Sequence, residues 1–341
     1  VNHELLKVRT PAKLILSGEH AVVHGYPALA IAVNRYMEAT ARWATPLHFS
    51  FNFMGIDFRR RVTLQALRKL KHKVTQQFHQ YRSGHLSIRQ VLEKPFELSL
   101  FAFINVLDRL KNKLPTGIDI TTDSNIPIGC GMGSSAASVV SLTYALSEFL
   151  KINLSIDDYI KLGIESENLQ HGFSSGLDVH TVYHGGCLRF EKGEKQFRQI
   201  TTLPMQLIQT GQPQSTTGEC VAHTASYFKN SEIGADFAAI TNALDQALQN
   251  QQINTAKDCI RENQKLLHKI GVVPNKVNDF IVDIEKMGVA AKICGAGSIR
   301  GDHGGVILAL SEDDLSPIAA KYGYIVTPIQ IDTRGTRVIS S

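Results

Sequence analysis

Residues 127–137 read Pro-Ile-Gly-Cys-Gly-Met-Gly-Ser-Ser-Ala-Ala. Gly129, Gly131 and Gly133 alternate, so the backbone can take positive φ and approach a ligand with no Cβ in the way. Ser134 and Ser135 add two hydroxyls, and a run of small and apolar residues, Ala136 to about Leu150, follows with helical spacing. A glycine loop entering a helix N-terminus offers unpaired N–H groups and the positive end of the dipole, which suits phosphate. A ligand-free glycine turn is the alternative, since short glycine patterns are common. The paired serines and the helix directly behind them favour an anion site.

Three other stretches hold residues of chemical type. In Pro11–Gly25, Lys13 interrupts an apolar strand, where an ammonium is costly unless it meets an anion or carboxylate. Glu19 and His20 sit beside the turn at Gly18 at the end of that strand, a position that commonly faces a cleft. The alternative is a snorkelling lysine beside a solvated turn. In Glu165–Asp178, Glu167 sits on a helix and Asp178 follows a Ser-Ser-Gly turn, so two carboxylates can converge from different elements. One could bind Mg²⁺ and the other act as base, or both are surface acids at a capped helix end. Lys292–Gly305 is a second glycine-rich turn, which alone reads equally as a hairpin loop.

The elements that must position these residues follow from periodicity. Leu5–Ala32 reads as strands around a turn, and the alternation of Thr40–Phe58 continues the strand pattern. Helical patterns occupy about 62–82 and 96–112, with a strand near Gly117–Asp123. Ser155–His171 reads as a helix with Ser155 as N-cap and Asp157 and Asp158 in its first turn. Val182–Glu191 and Met205–Thr210 read as strands. Helices are expected at about 217–228, 232–250, 254–270 and 275–287, then a hairpin of Ala290–Cys294 with Gly305–Leu310. A helix over Glu312–Tyr322 and a strand over Ile325–Ile331 close the chain. Helices and strands mix without strict alternation, which indicates α+β. The chain length favours two lobes, taken as 1–200 and 201–341.

Composition excludes several classes. Hydrophobic residues are 43% and charged residues 20% of the chain, as in ordinary globular proteins. No apolar run approaches the ~18 residues of a membrane span, and the first residues carry no signal-like apolar core. Five scattered cysteines show neither a disulfide framework nor metal-ligand spacing, so a cytoplasmic location is expected. The net charge of +5 falls to −2 once the seven basic side chains of residues 59–73 are set aside. These lie on an amphipathic pattern whose basic face reads as solvated, not as a nucleic-acid or membrane surface, although it could help attract an anionic substrate. No Walker-type loop, His-Arg-Asp loop or His-Glu-x-x-His pair is present.

Taken in order, Pro-x-Lys…Gly-Glu-His-Ala-Val-Val-His-Gly, Pro-x-Gly-x-Gly-x-Gly-Ser-Ser-Ala-Ala, His-Gly-x-x-Ser-Gly-x-Asp and Gly-Ala-Gly resemble the GHMP small-molecule kinases. The likeness runs from Val8 to about Leu310. It implies a two-lobed α+β fold with the active site in the cleft between lobes, and it implies ATP and Mg²⁺. By resemblance, Ser124, Gly129, Gly131, Met132, Gly133, Ser134 and Ser135 match the ATP-binding stretch. Ser135 and Glu167 match the Mg²⁺ ligands, Asp178 the catalytic base, and Lys13 the lysine paired with that base and the transferring phosphate. Glu19, His20 and Ala296 match positions lining the substrate pocket. The resemblance also extends to homodimers, as family members often are.

Within the family the chain most resembles the members that phosphorylate the primary alcohol of mevalonate to 5-phosphomevalonate, an early step toward isoprenoids. Ala21-Val22 follows Gly-Glu-His where galactose-specific members carry Thr-Asp, and His20 stands where phosphomevalonate-specific members more often carry Tyr. Phosphomevalonate, another small metabolite, or a silent nucleotide-binding sensor of the same fold are the alternatives. Retention of Lys13, Glu167 and Asp178 together argues against the sensor. Two departures bear on the site: Ala12 replaces a usual Gly, and Ser298–His303 interrupts what is normally a run of glycines. Arg300 in that insertion is either a compensating charge or an exposed loop arginine.

Overall fold

The computed structural model describes residues 5–44, 48–200, 203–230 and 232–340. Val1–Glu4, part of the expected strand region at Thr45–Leu47, and Thr201 and Thr202 at the expected lobe boundary lie outside the described residues. The first part of the chain forms β1 (Leu5–Ser17), β2 (Ala28–Ala44), β3 (Phe49–Phe53), β4 (Phe58–Val62), α1 (Leu64–Arg82), α2 (Glu97–Leu107) and β5 (Gly117–Ser124). Next come α3 (Ser134–Phe149), α4 (Ile156–His171), α5 (Leu177–His184), β6 (Cys187–Glu191) and β7 (Glu194–Arg198). The remainder forms β8 (Met205–Gly211), α6 (Thr217–Asn230), α7 (Ile233–Gln249), α8 (Ile253–Lys269) and α9 (Asn275–Glu285). It ends with β9 (Ala290–Ile293), β10 (Gly305–Leu310), α10 (Ser316–Tyr322), β11 (Ile325–Ile329) and β12 (Arg337–Ser340).

Two sheets result. The larger has the order β12-β1-β2-β5-β3-β4, with β6 on the first half of β2 and β7 beyond it. The smaller runs β11-β8-β10-β9 and is antiparallel throughout. The chain therefore returns to the larger sheet at its end, where β12 pairs with β1.

Burial explains the run Gly-Val-Ile-Leu-Ala-Leu of β10. Val306, Leu308 and Leu310 join a core shared with Leu14, Leu16 and Leu29 of the larger sheet, while Ile307 and Ala309 face Phe280 and Ile284 of α9. A strand buried on both faces has no polar side to show. Helix α3 is buried nearly all round because it lies between that shared core (Ala136, Ala137, Val140) and a second one (Val139, Leu142, Leu146). Its small residues let it pack closely on β1 and β2.

Two expectations need correction. The segment Val182–His184 belongs to α5 and the strand begins only at Cys187. Gly176 starts that helix with a left-handed φ of 87°, and Leu177, Val179 and Val182 turn into the core, so tertiary packing overrides the β-branched and aromatic character of Val-His-Thr-Val-Tyr-His. Strands β7 and β12 have no counterpart in the sequence reading, since both are short and largely exposed. On α1, Leu67 and Val74 are buried, and Lys71 and Lys73 pair with Asp108, Glu93 and Glu97 on neighbouring segments. Among the described residues no helix is long and apolar enough to cross a membrane. All five cysteines are unbonded and buried.

Candidate active site

A cleft of about 900 Å³ runs between the end of β1, the glycine loop, the starts of α3, α5 and α6, and the turn after β9. Its floor is set by β1. Leu14 and Leu16 point into the shared core, so the period-two alternation turns Lys13 and Ile15 to the other face, and both line the cleft. The Lys13 side chain is only 4% exposed, and its ammonium stands 3.3 Å from Asp178 Oδ1. It also donates to the Gly131 carbonyl at 3.1 Å, while the Lys13 backbone N–H donates to the Met132 carbonyl at 3.0 Å. The expected anion loop thus wraps the lysine. At Gly133, where φ is +68°, a Cβ would sit 2.9 Å from Lys13 Cγ and 3.5 Å from Asp178 Oδ2.

Ser134 and Ser135 occupy the first turn of α3, and the Ser135 hydroxyl donates to Glu167 Oε1 at 2.6 Å. Glu167 is buried on α4, with His171 Nε2 at 3.8 Å from its other oxygen. Burial pushes its carboxyl up from the usual range and the Asp178 charge adds to this, against the opposing effects of His171, Ser135 and Lys13. Helix α4 is fixed by the expected cap at Ser155, which forms a reciprocal box with Asp158.

The turn after β1 carries Glu19 and His20, both buried. His20 has a left-handed φ of 61°. Its Nε2 faces the Ala296 carbonyl at 3.1 Å, which can only accept, so Nε2 carries the proton and Nδ1 faces the Thr224 hydroxyl at 3.3 Å. Burial lowers the imidazole pKa to about 4, and it is neutral at pH 7. Glu19 pairs with Lys292 of β9. Burial pushes its carboxyl up, opposed by the Lys292 ammonium.

The interrupted glycine turn still reaches the cleft. Cys294, Gly295, Ala296, Gly297 and Gly304 line it, and Gly295 packs so closely on Gly131 that a Cβ would lie 2.6 Å from the Gly131 Cα. The inserted residues fold away from it. Ser298 bonds the Ser215 hydroxyl at 3.1 Å and the Arg300 carbonyl at 2.6 Å, and His303 binds the Thr210 carbonyl. Arg300 donates to Glu219 at 2.8 Å and stays outside the lining.

Of the residues singled out from sequence, Lys13, Glu19, His20, Gly129, Gly131, Gly133, Ser134, Ser135, Glu167, Asp178 and Ala296 all line this one cleft. Ser124 and Met132 do not. The Ser124 hydroxyl accepts from the Ile126 N–H at 3.0 Å, and Met132 is fully buried in the shared core. Two lining or supporting residues were missed. Lys292, wholly buried in Ala-Ala-Lys-Ile, carries the same signal as Lys13, a lysine inside an apolar strand. Arg89 lines the cleft from the turn after α1 and pairs with Glu219 at 2.7 Å, a juxtaposition with no local sequence signal.

The family model described as the GHMP kinases N terminal domain matches residues 101–186, the stretch that holds the glycine loop, Glu167 and Asp178. A mevalonate kinase of Thermococcus onnurineus is 28% identical, over 91% of this chain and 90% of that relative. The solved structure of the Methanococcus jannaschii mevalonate kinase superposes with a TM-score of 0.79 at 23% identity, over 97% of this chain and 99% of that one. The L. major mevalonate kinase in complex with R-mevalonate gives 0.70 at 20% identity, over 96% of each chain. With the motifs, their convergence in one cleft and the two-sheet fold in place, the chain carries a stretch that matches the GHMP kinases N terminal domain and is similar along most of its length to mevalonate kinases.

Proposed function

We propose that this chain transfers the γ-phosphoryl group of ATP to the primary alcohol of mevalonate, giving 5-phosphomevalonate and ADP. The observation that carries this reading is the Lys13–Asp178 pair, 3.3 Å apart, set against the glycine loop where it enters α3. Phosphoryl transfer asks a protein mainly for positioning and for neutralisation of phosphate charge. The N–H groups of Gly129–Ser135 and the α3 N-terminus supply the cradle. Asp178 accepts the proton of the attacking hydroxyl as the new O–P bond forms and the bond to the ADP oxygen breaks. Lys13, bridging Asp178 and the loop, faces the charge that builds on the transferring group.

Among the described residues no three His, Cys, Asp or Glu side chains cluster to hold a metal unaided. That suits Mg²⁺, which is commonly held by one or two protein oxygens with substrate phosphates and water. Ser135 Oγ and Glu167, 2.6 Å apart, are hard oxygen donors at the cradle's edge and fit that role. When bound there the ion neutralises phosphate charge. His20, neutral and tied to Ala296, and Glu19 shape the acceptor end of the cleft.

The test is ADP release with mevalonate, phosphomevalonate, galactose and homoserine offered separately. Turnover is expected with mevalonate. Preference for phosphomevalonate overturns the choice of acceptor, and no turnover with any of the four overturns the enzymatic reading.

A further inference from the structure

Lys292 sits inside β9 with no solvent exposure, and its ammonium meets groups from three parts of the chain. It donates to the Ile15 carbonyl of β1 at 3.0 Å and to Glu19 Oε1, with Cys294 Sγ at 3.9 Å. An ammonium has three donors, so its directions are all taken. Glu19 is left half used. Its second oxygen, Oε2, is buried and has no hydrogen-bond partner, although Glu19 lines the cleft. A buried carboxylate oxygen without a donor is expensive, and a native structure that keeps one calls for an explanation. The neighbouring polar groups do not supply one. The Lys13 ammonium bonds the Gly131 carbonyl and pairs with Asp178 without bonding Glu19, and His20 Nε2 is held by the Ala296 carbonyl.

We propose that Lys292 is a positioning residue that holds Oε1 of Glu19 and so keeps Oε2 free to accept a hydrogen bond from the non-reacting hydroxyl of the acceptor. This rests on the function proposed above, in which the primary alcohol goes to Asp178; mevalonate carries a second hydroxyl on its tertiary carbon. Lys292 does not touch the acceptor and acts only through Glu19. Removing its charge strands a buried carboxylate, which then protonates or turns away, and the acceptor site for the second hydroxyl is lost. The arrangement also ties the glycine turn after β9 to the Glu19 turn, so the two sheets jointly build this end of the cleft.

The experiment compares kcat/KM for mevalonate and for 5-hydroxy-3-methylpentanoate, which lacks only the tertiary hydroxyl, in wild type, Lys292→Met, Lys292→Gln and Glu19→Gln. A hydrogen bond to a charged acceptor predicts a wild-type preference for mevalonate of roughly ten- to hundred-fold. In Lys292→Met that preference is expected to fall to about three-fold or less while KM for ATP stays within about two-fold, because only the acceptor's hydroxyl is affected. Lys292→Gln still donates to Oε1 and is expected to fall between; it decides the matter if the Met variant does not fold. Within Glu19→Gln, adding Lys292→Gln is expected to change the preference no further, since the two residues act as one unit. A wild-type preference retained in the folded Lys292 variants overturns the inference, as does an equal loss on both acceptors with KM for ATP raised. A wild type that turns over mevalonate without discriminating the analogue overturns the inference alone. A wild type inactive on mevalonate overturns the functional reading beneath it.

Discussion

Replacing Gly133 by alanine separates backbone strain from damage to the proposed site. Gly133 holds φ +68°, and a non-glycine residue in the left-handed region costs about 1–2 kcal/mol. The new Cβ would also lie 2.9 Å from Lys13 Cγ and 3.3 Å from its Cε. Lys13 is 3% exposed and held at both its backbone and its ammonium, so it has little free space to yield. Its ammonium must shift relative to Asp178, and a displacement of about 1 Å in a reacting constellation costs about 100-fold in rate. Gly193→Ala is the control. Its φ is +86° and nothing lies within 4 Å of its added Cβ, in the turn between β6 and β7. Thermal melts should show Gly193→Ala losing a few degrees from the backbone cost alone and Gly133→Ala losing at least as much, because crowding of the buried Lys13 adds to that cost. Steady-state kinetics should show kcat falling about 100-fold in Gly133→Ala and staying within about two-fold of wild type in Gly193→Ala. If Gly133→Ala melts like the control and keeps near wild-type kcat, the placement of Lys13 by the loop is not what the reaction depends on, and the reasoning fails.

Two other perturbations probe the carboxylates. Asp178→Asn keeps size and hydrogen bonding but removes the base, so kcat should drop by about 100-fold or more with the Kd of a non-hydrolysable ATP analogue little changed; near-normal turnover would refute the assignment. Glu167→Gln tests the sign of a burial shift. Burial raises the Glu167 pKa above its ordinary 4.5, so its contribution to stability is present below pH 4.5 and lost as pH rises through the folded value. Without Mg²⁺, the Gln variant should therefore gain stability relative to wild type at pH 8, with the gap narrowing toward pH 4.5. A gap that widens on acidification contradicts the sign.

Much of the fold was legible because local rules and packing agree. Ser155 caps α4 as its sequence position implies, and the two halves of the hairpin from β9 to β10 pair as expected. Strand β7 follows a tight turn at Lys192-Gly193. Lys192 and Gly193 both have positive φ, +50° and +86°, and the strands close on Glu191 opposite Glu194, the geometry of a two-residue hairpin turn. Strand β12 left no local signal, because it is exposed and its partner β1 lies at the other end of the chain. Helix α5 was misread across Val182–His184 because its β-branched and aromatic residues favour a strand in isolation, and burial against two cores decides otherwise.

By itself the sequence determined the kinds of chemistry present: a glycine loop with hydroxyls at a helix start, a lysine inside an apolar strand, and carboxylates at the ends of two elements. Those are local properties of spacing and propensity. Only the tertiary structure decided which of them meet. It set Lys13 against Asp178, placed Ser135 on Glu167, turned Met132 and Ser124 out of the cleft, and folded the insertion at Ser298–His303 aside while keeping Gly295 packed on Gly131. It also joined Lys292 to Glu19, 273 residues apart. The reason is that burial free energy acts on whole faces of sheets and helices, and the polar side chains on the opposite faces are carried to wherever that packing brings them.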